Sequence, residues 1–113
     1  MDAHPDTLDS INNLAVLLKD QGKYADAEPL YREALDGRRR ELGDAHPYYG
    51  DSCYNFAIVF AEQKKFSEAA SYFDQAAHAY EQSFGADHEK TRGARTKADA
   101  CRKRRKQGRG RLT

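Results

Sequence analysis

The sequence predicts an all-α fold, a right-handed α-solenoid of two 42-residue helix-turn-helix repeats followed by a C-terminal capping helix. His4, His46 and His88 recur every 42 residues, and a fixed period of about 20 to 50 residues is typical of stacked repeats. Within each unit the apolar residues follow helical spacing, as from Leu14 to Leu18. These two observations predict five helices and no strand.

The period also predicts the domain boundaries. The first repeat spans 4–45 and the second spans 46–87. A capping helix over 88–106 completes one repeat domain, residues 4–106, and residues 107–113 are expected to form a basic flexible tail. The capping helix has a narrow apolar stripe, so the core is thin and partner contacts or self-association are expected to complete it.

Turn and cap residues separate the helices. Gly22 suits the left-handed position that closes a helix, and Lys64 stands at the matching position of the second unit. We expect Asp6 or Thr7 to cap the first helix. Pro47 is expected at a helix start, where its missing N–H has little cost.

Composition and charge narrow the classes of function. Charged residues form 33 % of the chain, and no apolar run is long enough to cross a membrane. The net charge of +1 divides into −9 over residues 1–89 and +10 over residues 90–113. Cys53 and Cys101 form no metal-binding or redox motif, so a reduced intracellular location is expected, in the cytoplasm or alternatively the nucleus.

Catalytic and metal-binding arrangements are not apparent in the sequence. The recurring histidines mark equivalent corners, which stacking separates by a full repeat, so they are expected to bond to backbone. Cys53 lacks a base oriented by a third group and is expected to be buried and unreactive. We therefore predict no enzymatic activity, no metal and no cofactor.

The first unit resembles a tetratricopeptide repeat of the kinesin light chain type. The resemblance depends on six segments of the first unit: His4-Pro5-Asp6, Asn12-Asn13-Leu14-Ala15, Gly22-Lys23-Tyr24, Ala27-Glu28-Pro29-Leu30-Tyr31, Ala34-Leu35 and Leu42-Gly43. The resemblance is strong over residues 4–45 and looser over residues 46–87. Over residues 88–106 only the histidine, His88, and the length of the predicted helix match the repeat pattern. It implies a scaffold or adaptor that binds an extended peptide in a concave groove.

The resemblance also implies which residues line that groove. In peptide-binding members, asparagines at the positions of Asn13 and Asn55 hold the backbone of the ligand, and Lys97 continues this ladder. Asp9 and Asp51 stand where carboxylate-clamp repeats place lysine, which favours a neutral or basic peptide. The complete predicted groove is Asp9, Asn12, Asn13, Val16, Asp51, Tyr54, Asn55, Ile58 and Lys97.

The basic C-terminal residues support an alternative function. They are Arg102, Lys103, Arg104, Arg105, Lys106, Arg109 and Arg111. They could anchor a structural subunit of a larger assembly to nucleic acid or an acidic surface, serve as a nuclear address, or simply neutralise the acidic body. No aromatic residue lies among residues 90–113, so base stacking is not supported.

Overall fold

The computed structural model describes the backbone of residues 5–112 and the side chains of residues 7–106. His4 and the side chains of Arg109 and Arg111 lie outside the described residues. Within the described backbone every regular element is an α-helix, which confirms the all-α prediction. The helices are α1 (Pro5–Asp20), α2 (Tyr24–Leu42), α3 (Pro47–Glu62), α4 (Phe66–Phe84) and α5 (Glu89–Leu112).

The 42-residue period governs where the helices begin and end. Moving α1 and α2 along the chain by 42 residues reproduces the bounds of α3 and α4 residue for residue. Gly43 and Gly85 follow the second helix of each unit with φ values of 88° and 95° and extended ψ values. This backbone region is essentially restricted to glycine, so the same residue type ends both units.

Each helix packs mainly against its neighbours along the chain: α1 on α2, α2 on α3, α3 on α4, and α4 on α5. The molecule is accordingly elongated and thin, with extents of 50 × 34 × 18 Å. Small residues permit close packing inside each unit, because Ala15, Ala27, Ala57 and Ala69 are all completely buried. This arrangement is that of a repeat stack, in which each element depends on its immediate neighbours.

The two units fill the same contact with different residues. A Cβ at Gly37 would lie 2.5 Å from Leu8 Cδ2, and a Cβ at Gly50 would lie 3.2 Å from the Cβ of Ala79. Gly50 is the repeat equivalent of Leu8, and Ala79 is the equivalent of Gly37. The large residue therefore comes from α1 in the first unit, whereas in the second unit it comes from α4, because a Cβ at Gly50 would lie 2.9 Å from Cε1 of Tyr80.

Aromatic side chains join the two units. Phe56 on α3 is 1 % exposed and lies 6.3 Å, centroid to centroid, from Tyr31 on α2. It also packs against Phe60 and Tyr72 at centroid distances of 4.7 and 4.8 Å. The guanidinium of Arg32 lies over the same ring at 5.0 Å. Tyr31 therefore fills the space between the two units.

The helix caps differ from the sequence prediction. Because α1 begins at Pro5, Asp6 and Thr7 lie inside its first turn and do not occupy the cap position. At α3 the cap is His46, whose Nδ1 accepts a hydrogen bond from the backbone N–H of Tyr48 at 3.0 Å. The imidazole nitrogen supplies the acceptor that a serine or aspartate usually provides.

Helix α5 covers the open side of α4. Thr91, Ala94, Ala98 and Cys101 are buried along one face, which includes the predicted apolar stripe. The Thr91 hydroxyl donates to the carbonyl of Gly85 at 2.8 Å. The helix continues to Leu112, beyond the predicted end of the capping helix at 106.

The turn inside each unit requires a left-handed residue. Gly22 has φ of 79° and Lys64, its equivalent, has φ of 64°. Both turns close with the equivalent hydrogen bond, since Lys23 N–H donates to Leu18 O in the first unit and Lys65 N–H donates to Phe60 O in the second, each at 2.9 Å. The second unit thus holds a lysine in a conformation that favours glycine.

We predict that Lys64→Gly stabilises the protein. The left-handed conformation costs an L-residue about 1 to 2 kcal/mol, and glycine's greater freedom in the unfolded chain offsets about 0.5 to 1 kcal/mol of this gain. The melting temperature should therefore rise by roughly 2 to 5 °C, measured by circular dichroism. The reciprocal control, Gly22→Lys, should lower it. A Lys64→Gly variant that melts below the wild type would contradict the strain assigned to Lys64.

Candidate functional site

Two neighbouring cavities lie along α3 and α5. The first has a volume of about 510 Å³ and is lined by Asp51, Tyr54, Tyr80, His88, Glu89, Lys90 and Gly93. The second has a volume of about 450 Å³ and is lined by Ile58, Ala61, Glu62, Lys64, Phe66, Phe73, Lys97, Ala100, Cys101 and Arg104. Since both draw residues from α3 and α5, we call the pair the α3–α5 groove.

A hydrogen-bonded carboxylate lies at the first cavity. The Tyr80 hydroxyl donates to Asp51 Oδ1 at 2.5 Å, and Lys90 Nζ lies 3.5 Å from the same oxygen. Burial, together with this hydrogen bond, raises the pKa of Tyr80 above its ordinary value, so the hydroxyl remains a donor. Asp51 is thus already engaged by two groups of its own chain.

The second cavity combines an apolar floor with a basic rim. Ile58 on α3 and Phe73 on α4 contribute apolar side chains, and the guanidinium of Arg104 lies 5.1 Å from the centroid of the Phe66 ring. Its charged residues are three cations and one acid, Lys64, Lys97, Arg104 and Glu62. This end of the groove therefore carries net positive charge.

The α3–α5 groove contains part of the predicted site. Asp51 and Tyr54 line the first cavity, and Ile58 and Lys97 line the second. Asn55 lies between these residues on α3 and is half-buried. Its side-chain amide makes no hydrogen bond within residues 7–106. Its polar atoms are also not among the fully buried, unpaired polar atoms of these residues.

The predicted residues of α1 have different surroundings. Asp9 accepts a hydrogen bond from Arg38 at 2.6 Å. Asn13 is exposed, and no hydrogen bond to its side chain forms within the described part of the chain. Asn12 has its Oδ1 buried without a partner, and Val16 packs against the core. Of these four residues, Asn13 is the exposed one whose side chain forms no hydrogen bond within residues 7–106, whereas Asp9 is exposed but paired with Arg38.

The repeat relates the two acids that were expected to attract a basic ligand. Asp9 and Asp51 are equivalent residues, and so are their partners Arg38 and Tyr80. Arg38 additionally donates to Ser52 Oγ at 3.0 Å, which connects α1 to α3 through α2. The sequence analysis missed Arg38, Tyr80 and Lys90, because only the packed helices show which donors lie beside Asp9 and Asp51.

The basic residues of α5 divide into paired and exposed ones. Arg95 forms an ion pair with Glu81, and Arg102 forms ion pairs with Asp74 and Asp99. Arg105 is half-buried, whereas Lys103, Arg104 and Lys106 are exposed. Arg95 and Arg102 are therefore each paired with an acid of α4.

His46 and His88 bond to backbone at helix starts, and Cys53 is buried in the core. His88 Nδ1 accepts from the backbone N–H of Lys90 at 3.1 Å, the same contact that His46 makes in α3. Cys53 is completely buried, and this burial raises the pKa of its thiol to about 12.

No group of three potential metal ligands occurs among the described residues. None of the helices in the described part is long and apolar enough to cross a membrane.

Comparison with solved structures finds the same fold in BtubC (BKLC) from P. vanneervenii, whose crystal structure superposes with a TM-score of 0.72. The sequences are 21 % identical, and the match covers 96 % of this chain and 49 % of BtubC. The chain therefore spans about half the length of that protein. No curated protein matches the sequence significantly.

The family follows from the sequence itself. The family model described as Tetratricopeptide repeat matches residues 6–82, which cover both 42-residue units except their outer ends. The observed helices, turns and repeat period agree with this match, and the family prediction is confirmed. The chain belongs to the tetratricopeptide repeat family.

Proposed function

We propose that this protein is a non-catalytic adaptor that binds an extended segment of a partner protein along the α3–α5 groove and across Asn13 on α1, which lies outside the two cavities. Tetratricopeptide repeats generally mediate protein–protein interaction. The observation that carries the finer proposal is the pair of equivalent amides, Asn13 and Asn55, which have no hydrogen-bond partners within residues 7–106. The buried, reduced cysteines suit the cytoplasm, where we place this activity.

The groove offers separate positions for the backbone and side chains of a ligand. An asparagine amide both donates and accepts, so it can pair with the N–H and C=O groups of an extended chain. On α3, Asn55 directly follows Tyr54, which lines the first cavity, and stands about one turn before Ile58, which lines the second. Because successive side chains of an extended chain are about 3.3 Å apart, a short segment suffices to reach both cavities.

The charge of the groove changes the ligand that we expect. Asp9 and Asp51, which suggested a neutral or basic peptide, are engaged by Arg38, Tyr80 and Lys90. The second cavity instead has an excess of cations around an apolar floor. We therefore propose a ligand with an apolar side chain next to an acidic one, the acid lying near Lys97.

We predict that Asn13→Ala combined with Asn55→Ala weakens binding by roughly tenfold to a hundredfold. Each amide contributes about 0.5 to 1.5 kcal/mol through its hydrogen bonds to the ligand backbone. The probe is a peptide selected from a random displayed library on the wild-type chain and titrated by fluorescence anisotropy.

Ser71→Ala serves as the matched control, because Ser71 is an exposed polar residue on α4 that lines neither cavity. It should bind the selected peptide like the wild type. Equal affinities for the wild type and the double asparagine variant, with both chains folded, would show that these amides do not hold the ligand.

We also predict that Lys97→Glu weakens binding of the selected peptide by about threefold to tenfold, since it removes an attractive charge and introduces a repulsive one. Lys103→Glu makes the same charge change on α5 at an exposed residue that does not line the second cavity. The affinity of Lys103→Glu should stay near that of the wild type. Equal losses in the two variants would indicate general electrostatic attraction without a site at Lys97.

A second candidate function is a structural subunit held to nucleic acid or another acidic surface by the C-terminal part of α5. The observation favouring it is the exposure of Lys103, Arg104 and Lys106 on a helix that continues to Leu112. The ion pairs of Arg95 and Arg102 weaken this candidate, because they direct those cations toward the body.

For this candidate we predict salt-sensitive binding to a single-stranded RNA oligonucleotide, measured by anisotropy at several salt concentrations. The logarithm of affinity should fall with the logarithm of salt concentration, with a slope of roughly −0.7 for each phosphate contact. Truncation after Lys106 removes Arg109 and Arg111 while keeping the packed part of α5, and it should make the slope shallower. An absence of binding at low salt would exclude the nucleic-acid version.

A further inference from the structure

Gly93 on α5 differs from the other glycines of residues 7–106, each of which has a local reason to lack a side chain. Three of those have a positive φ, namely Gly22, Gly43 and Gly85. At the remaining two, Gly37 and Gly50, a Cβ would lie 2.5 and 2.9 Å from the nearest side-chain atom. Gly93 has neither feature, because it does not have a positive φ and a Cβ built on it would meet no atom of another helix within 4 Å.

The position of Gly93 makes this lack of a local reason more informative. It is the fifth residue of α5, after the first turn of the helix. Glycine inside a helix lowers stability relative to alanine, because the unfolded chain gains more freedom than the helix does. An alanine would fit at this position and would favour the helix. The packing of this chain therefore does not account for glycine, and the space that it leaves does.

That space belongs to the first cavity of the α3–α5 groove. Gly93 lines this cavity together with Asp51 and Tyr54. It is also the repeat equivalent of Asp51 and of Asp9, so the first two units place a carboxylate where α5 places no side chain. The cavity volume of about 510 Å³ is within the range of ligand pockets. The cavity is thus left open on its α5 side.

Helix α5 presents small and basic residues alternately to the groove. Gly93, Lys97, Ala100 and Arg104 follow each other at intervals of four, three and four residues, which aligns them along one side of a helix. Gly93 lines the first cavity and the other three line the second. Gly93 and Lys97 are about 6 Å apart along the helix axis, close to the distance between alternate residues of an extended chain.

The chemistry of the first cavity favours an uncharged occupant. The carboxylate of Asp51 and the ammonium of Lys90 form an ion pair, and Glu89 is exposed at the start of α5. The rings of Tyr54 and Tyr80 contribute to its walls. A charged group would have to compete with the Asp51–Lys90 pair, whereas a large uncharged side chain packs against the rings.

We propose that Gly93 determines which side chain of the partner segment enters the first cavity. The absence of a side chain at Gly93 admits a large uncharged one, which packs against the backbone of α5 two residues away from the acid that pairs with Lys97. This inference rests on the proposed function, since it assigns the position of one ligand side chain in the same groove.

The test uses the full chain and the peptide selected on it from the random displayed library. Gly93→Leu fills the first cavity and should weaken binding of that peptide by about tenfold or more. Thr96→Leu is the matched control, because it introduces the same side chain at an exposed residue of α5 that lines neither cavity. Thr96→Leu should bind the peptide like the wild type.

A substitution in the peptide shows whether the two side chains meet. Its large uncharged residue, two positions from its acid, is replaced by alanine. This change should weaken binding to the wild type by about tenfold but alter binding to Gly93→Leu by less than about twofold, because groups in contact give non-additive losses. Additive losses would overturn the contact at Gly93.

Gly93→Ala separates the role of this residue in binding from a role in folding. It should raise the melting temperature by about 2 to 6 °C, since alanine favours the helix and meets no other helix. The measurement is thermal unfolding followed by circular dichroism. A lower melting temperature would show that the fold itself requires glycine, and it would overturn the assignment.

Failure of this inference is distinguishable from failure of the proposed function. Equal affinities of Gly93→Leu and Thr96→Leu, with a loss in the double asparagine variant, overturn the role of Gly93 alone. A loss in Gly93→Leu with none in the double asparagine variant supports Gly93 and removes the role of the amides. A library that yields no peptide for the wild-type chain overturns both.

Discussion

The aromatic junction between α2 and α3 is the contact on which the rest of this structure depends. Because each helix packs mainly on its neighbours in the chain, α1 and α2 are joined to the remaining three helices chiefly through Tyr31, Phe56 and the groups around them. Large rings suit this position, since they bury extensive apolar area in a molecule only 18 Å thick along its shortest axis.

Duplication has preserved the geometry of the two units while changing the chemistry at equivalent contacts. The Asp9–Arg38 ion pair of the first unit corresponds to the Asp51–Tyr80 hydrogen bond of the second. At the turn, Gly22 corresponds to a lysine in the same left-handed conformation. The backbone positions are therefore maintained by helix packing as a whole, which tolerates different side chains at a single contact.

Helix α5 contributes charged residues to both cavities of the α3–α5 groove. It covers α4 with small buried residues, and it contributes Lys90, Lys97 and Arg104 to the groove. Its Arg95 and Arg102 are used within the fold. One helix thus covers α4, forms ion pairs with acids of α4 and gives the groove its local positive charge.

The sequence by itself determined the helices, the 42-residue repeat and the left-handed turn at Gly22, because these features follow from helical spacing and local backbone preference. It also indicated Ile58 and Lys97, which the repeat period places on corresponding stripes. The tertiary structure alone decided that Asp9 and Asp51 are engaged by their own chain and that His46 caps α3. Hydrogen bonds such as Asp51–Tyr80 join residues 29 positions apart, and the spacing of acids in a sequence does not reveal which distant donor will lie beside them after the helices pack.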